Sequence, residues 1–99
     1  MSTIERPLHG AALLLDLEYE EREATRPETL ERDGRSSRTL LKEGPLRVTL
    51  IVLAPGGGIP EHRAEGPITV QPLRGRVDVD AEGQIHPVET GQILALGPG

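Results

Sequence analysis

Hydrophobic and polar positions alternate most regularly in LRVTLIVLA, residues 46–54, with Leu46, Val48, Leu50 and Val52 on one side and Arg47, Thr49, Ile51 and Leu53 on the other. A period of two predicts a strand whose first face is wholly apolar and directed into a core, while its second face turns apolar toward the end. Glu43, Gly44 and Pro45 supply the turn before this strand, and Pro55 with Gly56, Gly57 and Gly58 breaks it off. RVDVDAEGQIHPV, residues 76–88, reads as a hairpin. Val77 and Val79 point one way, Arg76, Asp78 and Asp80 the other, and Ala81, Glu82 and Gly83 make the turn. Gly91 then introduces a last strand, QILAL. Pro72, inside ITVQPLRG, has no amide proton for a ladder and marks an edge or a bulge. Short strands separated by turn signals in this way predict a mostly β sandwich or barrel from Thr39 onward.

The first 38 residues follow another pattern. Asp16 is placed to cap a short helix over LEYEEREA, and Glu18, Glu20 and Glu21 suit the positive end of that helix. Pro27 ends it or starts a second turn that runs to Arg32. Arg35, Ser36, Ser37 and Arg38, after Gly34, read as an exposed connection. The expected organisation is therefore an arm over residues 1–38 with one or two short helices, then a barrel over residues 39–99, together forming one folding unit.

Composition narrows the chemistry. At 99 residues, a single domain buries roughly 65% of the surface its unfolded chain exposes, so one modest core is expected. Tyr19 is the sole aromatic residue, which leaves Leu, Ile, Val and Ala to fill that core and provides no platform for stacking bases. A net charge of −5 repels phosphate backbones, and nucleic acid is excluded as an expected partner. The absence of cysteine removes disulfides, thiolate nucleophiles and thiolate-bound zinc together. The apolar run from Ala11 to Leu15 is too short to span a bilayer and lacks a basic segment before it, so a cytoplasmic chain with no membrane partner is expected.

Candidate sites are few. Gly56, Gly57 and Gly58 are followed by neither a helix start nor a lysine at phosphate-loop spacing, so they read as a turn with positive φ. Alternation with Val77 and Val79 puts Asp78 and Asp80 on a solvated face, away from any acid and base pair. Ser36 and Ser37 have no triad motif around them, and His9 in the arm has no assigned role. No catalytic residue is expected.

The segment PGGGIPEHRAEGPITVQPLRG, residues 55–75, carries a more specific pattern. Gly56, His62 and Gly75 stand in the register of the first motif of the cupin superfamily, which this chain resembles over residues 44–99. Gly91 and Gly99 fit the glycines of the second motif, with Gly97 where the motif has proline. The resemblance implies a cupin-like jelly-roll barrel, left short of about two final strands at its C-terminus. It also implies a departure. Metal-binding cupins use three imidazoles and a carboxylate, a donor set suited to iron, manganese, nickel or zinc, whereas Ala64 and Ile68 occupy the positions of the second histidine and the acid here. Alternation would turn Ala64, Ile68 and Val70 inward beside His62, and none of the three offers a lone pair. The expected site is thus an apolar ligand pocket of His62, Ala64, Ile68 and Val70, with no metal and no cofactor. The expected function is small-molecule binding or an accessory role. The alternative is a metal-dependent cupin enzyme of dioxygenase or isomerase type, with His62, His86 and a carboxylate as an unusual ligand set. A homo-oligomer is expected, a dimer above other states, in which residues 1–15 cross to or cap a neighbour.

Overall fold

A computed structural model of the chain describes residues 12–26, 28–60 and 65–97. It is mostly β with two short helices. The order is α1 (Leu17–Thr25), α2 (Glu28–Asp33), β1 (Arg35–Glu43), β2 (Leu46–Leu53), β3 (Ile68–Val70), β4 (Arg76–Ala81), β5 (Gln84–Glu89) and β6 (Leu94–Leu96). Among the described residues the strands form three separate antiparallel pairs, β1–β2, β3–β6 and β4–β5, and do not close into a barrel. The chain divides into two compact units, residues 1–60 and 61–99. The boundary expected at residues 38 and 39 falls inside β1, because that strand starts at Arg35. Among the described residues, no helix is long and apolar enough to cross a membrane.

In the first unit α1 begins as its sequence predicts. The backbone N–H groups of Glu18 and Tyr19 donate to Asp16 Oδ1 at 3.1 and 3.3 Å, satisfying two amides that the helix itself leaves without acceptors. Glu18 and Glu20 lie in the first turn and Arg22 in the last, the order that opposes the helix dipole least. The helix ends at Thr25 and α2 begins at Glu28. The intervening Pro27 lies outside the described residues.

The segment expected as an exposed connection is instead the first half of β1. Arg35 pairs with Leu53, Ser36 with Val52, Ser37 with Ile51 and Arg38 with Leu50. The two strands meet at Gly44 and Pro45, where Gly44 takes φ +55°. Proline at the second central position holds φ negative, giving the sign pattern of a type II′ turn. Such a tight turn forces the eight-residue β2 to find a partner of similar length directly upstream, which is why β1 reaches back to Arg35. A bulge between Thr39 and Leu41 shifts the register, and both Thr39 and Leu40 are buried as a result. Burial along β2 differs from the sequence pattern. Leu46 and Val48 stay 51% and 37% exposed, and the half-buried positions gather at Leu50, Val52 and Leu53. α1 packs on both strands, and its Glu20 bonds Arg38, opposite Leu50, in the half of the hairpin farther from the turn.

After β2 the three glycines have distinct tasks. Ala54 N–H donates to Gly34 O at 2.9 Å, and Gly57 N–H donates back to Ala54 O at 2.7 Å. Pro55 and Gly56 occupy the centre of that turn, with Gly56 at φ +78° as a type II turn requires. Gly57 is needed for space, since a Cβ there would stand 2.3 Å from Gly34 O. Gly58 meets neither demand.

In the second unit, β4 and β5 form the expected hairpin, with Arg76 opposite Glu89 and Ala81 opposite Gln84. Glu82 and Gly83 fill the turn at φ +53° and +76°, both left-handed, as a type I′ turn demands. A non-glycine residue pays for that conformation, and asparagine is the residue best suited to it. Glu82→Asn is therefore expected to raise stability by about 0.5–1 kcal/mol, measured by thermal unfolding; unchanged or lower stability would contradict the turn assignment. The base of the hairpin is tied by Thr90, whose N–H and Oγ1 both donate to Gly75 O, at 3.1 and 2.8 Å. Gly75 and Gly91 adopt φ +75° and +92°. Three of the four motif glycines, Gly56, Gly75 and Gly91, thus stand at left-handed positions, and Gly99 lies outside the described residues.

Candidate functional site

Two places in the molecule combine polar chemistry with an apolar setting, one in each unit. In the second unit, strand register sorts the side chains of the β4–β5 sheet. Val77 faces Val88, Val79 faces His86, and Ala81 faces Gln84, so these six share one side. Val88 is buried, and Val77, Val79, Ala81 and His86 are half-buried. The other side carries Arg76, Asp78, Asp80, Ile85, Pro87 and Glu89, all exposed. Arg76 reaches Asp78 at 3.4 Å on that solvated side, as the alternation predicts for the aspartates. His86 is therefore the one titratable side chain on the less exposed face of this hairpin, and it makes no side-chain hydrogen bond to a described residue.

The predicted pocket residues are brought together only in part. Ile68 and Val70 share a face of the β3–β6 pair with their partners Leu96 and Leu94. Val70, Leu94 and Leu96 are half-buried, but Ile68, expected to point inward, is exposed. Three-residue strands bury little beyond their inner end. Thr69 and Ala95 occupy the opposite, exposed face, and Pro72 follows β3 as a buried residue outside any strand. His62 and Ala64, like His9, lie outside the described residues. Among the described residues no three acidic or imidazole side chains stand close enough to hold a metal ion.

The first unit holds a cluster that sequence reasoning missed. Glu20, on α1, is only 2% exposed, and its Oε1 accepts from Arg38 Nε on β1 at 2.7 Å. The Arg38 side chain is 11% exposed. Two residues earlier on the same face of β1, Ser36 is fully buried and its Oγ has no hydrogen-bond partner. The floor beneath is apolar, because Leu50 and Val52 are the cross-strand partners of Arg38 and Ser36. In sequence, Glu20 is one acid among several on a polar helix, and Arg38 sits in a stretch without hydrophobic alternation. The signal that could have found the pair was the Gly44–Pro45 turn, which requires a strand through residue 38. Arg32 bonds the Asp33 carboxylate and so holds its pKa below the ordinary aspartate value, at an exposed site.

No protein-family model matches the chain, and comparison with curated proteins and with solved structures returns no match.

Proposed function

We propose that the chain is a small cupin-like jelly-roll module that binds a small molecule, or serves another protein as an accessory, without a complete metal-ligand set. Support for the jelly roll comes from nested pairing: β3 and β6 pair outside the β4–β5 hairpin. A jelly roll is an antiparallel ribbon wound over itself, so successive pairs along the ribbon enter different sheets. The ligand reading rests on one observation, the imidazole of His86 on a face otherwise made by Val77, Val79, Ala81 and Val88, with Gln84 at its open end. Such a face supplies apolar contact, and a single imidazole orients the ligand by donating or accepting one hydrogen bond near neutral pH. His62, which the cupin likeness puts at a ligand position, is the second polar group in this reading. A cytoplasmic homodimer completes it, with Leu13, Leu14 and Leu17 as the exposed apolar surface before and at the start of α1.

The runner-up is a metal-dependent enzyme. It is favoured by the same residue, since a metal site of His62, His86 and a carboxylate requires His86 on the inner side of its sheet. Elemental analysis of purified protein separates the two. Substoichiometric iron, manganese, nickel and zinc are expected, together with a thermal midpoint unchanged by chelator. Stoichiometric metal that a chelator removes, with loss of stability, would replace the binding reading by the enzyme. Native mass spectrometry then tests the ligand itself: a retained small molecule should be lost or weakened by both His62→Ala and His86→Ala. Full retention in both variants would refute the site.

A further inference from the structure

We infer that the outer edge of β2 is a subunit interface, where β2 pairs antiparallel with β2 of a second copy, Leu50 opposite Leu50, and joins two β1–β2 hairpins into one sheet. The inference rests on the homodimer reading, to which it assigns a surface and a register, and it concerns the first unit alone.

Strand parity locates the edge. Ala54 N–H donates to Gly34 O at 2.9 Å, and the residues that bond a given partner alternate along an antiparallel strand. Leu46, Val48, Leu50 and Val52 therefore turn their backbone groups to β1, while Arg47, Thr49, Ile51 and Leu53 turn theirs outward, where no described strand meets them. The other described strands carry features that discourage edge pairing. β1 has a bulge and the charges of Arg35, Arg38, Lys42 and Glu43. β4 has Arg76, Asp78 and Asp80, β5 has Pro87, and β3 and β6 are three residues long. β2 has Arg47 as its one charge and no proline. The sequence also reads nearly alike in both directions from Leu50: Val48 matches Val52, Pro45 matches Pro55 and Gly44 matches Gly56. A two-fold axis through Leu50 sets these matched positions opposite each other, as a self-complementary interface requires. In that register Arg47 meets the partner's Leu53 and Thr49 the partner's Ile51, so every outward residue finds an outward residue and no like charges face. The neighbouring registers of the same parity bring Pro45 opposite Leu53 or Pro55 opposite Arg47, and neither proline has an amide for the ladder. Burial agrees with the same axis. Leu46 and Val48, exposed at the turn end of β2, come beside the partner's Ala54 and Val52. An isolated hairpin is marginal in water, and Ala24 and Leu40 are the buried apolar residues of the first unit among those described. A cover needed for folding must accompany every molecule, and a second copy does.

The test follows association of the full-length protein by light scattering over a dilution series, in which the wild type is expected to be a dimer. Thr49→Pro deletes an outward amide and spares the ladder to β1. It removes one intersubunit hydrogen bond from each copy, so the dimer dissociation constant is expected to rise by about tenfold or more. Because the chain has no cysteine, the register can also be read by oxidation: a mixture of Thr49→Cys and Ile51→Cys proteins should form a disulfide between the two variants. Either variant alone should not, since its equivalent positions lie on a diagonal about 7–8 Å apart, past the reach of a disulfide. A dimer whose constant is unchanged by Thr49→Pro, or cross-linking no better in the mixture than in either variant alone, would overturn this edge and leave the dimer on another surface. A wild type that stays monomeric would overturn the dimer reading as well, even if the edge then took a strand from another protein. If Thr49→Pro does not fold, the cross-linking result decides by itself.

Discussion

Arg38→Met is expected to lower the free energy of unfolding by about 3–5 kcal/mol, seen as a fall in the urea midpoint followed through Tyr19 fluorescence. Tyr19 is the only aromatic residue and lies on α1, so its emission reports on the helix that carries Glu20. The size of the effect follows from burial. Glu20 is 2% exposed, and replacing Arg38 removes the guanidinium on its Oε1 in a setting that solvates a carboxylate poorly. The loss therefore measures a buried carboxylate deprived of its guanidinium and says little about the worth of the intact pair. A second variant makes that distinction: Glu20→Leu combined with Arg38→Met removes both charges and is expected to regain most of the stability, since apolar replacement of a buried pair is often neutral or better. If Arg38→Met alone costs less than about 1 kcal/mol, the range of exposed ion pairs, the pair is not buried in solution. A single domain carries only about 5–15 kcal/mol of net stability, so the predicted loss is a large share of the whole.

Gly57→Ala is expected to cost about 1–3 kcal/mol, whereas Gly58→Ala, one residue later, should be close to neutral. The contrast is steric. A Cβ at residue 57 would stand 2.3 Å from Gly34 O and 3.0 Å from Ala54 O, while one at residue 58 meets nothing within 4 Å. The atoms in the way belong to the backbone, and Gly34 O is already committed to Ala54 N–H at 2.9 Å. It cannot withdraw without breaking the bond that extends the hairpin beyond β2. Thermal unfolding of the two variants side by side decides the matter, and equal midpoints would show that this close approach is absent in solution.

Much of the second unit was legible in the residues. Val77 and Val79 against Asp78 and Asp80 fixed both the hairpin and its faces, because a strand sorts its side chains by a period of two whatever it packs against. The same holds for the helix start at Asp16, where a carboxylate and two free amides lie within four residues. The candidate sites were less legible. Nothing in the sequence distinguished His86 as facing inward until its register with Val79 was known. The glycine and histidine spacing around residues 56–75 pointed to His62, and nothing in the spacing of residues 35–38 pointed to Arg38.

What the sequence determined by itself is local: the turns at Gly44, Gly56, Gly83 and Gly91, the strand periods between them, and the cap of α1. These depend on backbone sterics and on hydrogen bonds across a few residues. What only the tertiary structure decided is which polar groups lose their water. Glu20 and Arg38 are 18 positions apart in the chain, and the composition of either neighbourhood predicts exposure. They are buried because α1 folds back onto a strand whose position is set by the turn at Gly44. Solvation is a property of the assembled surface, so no reading of nearest neighbours could assign it.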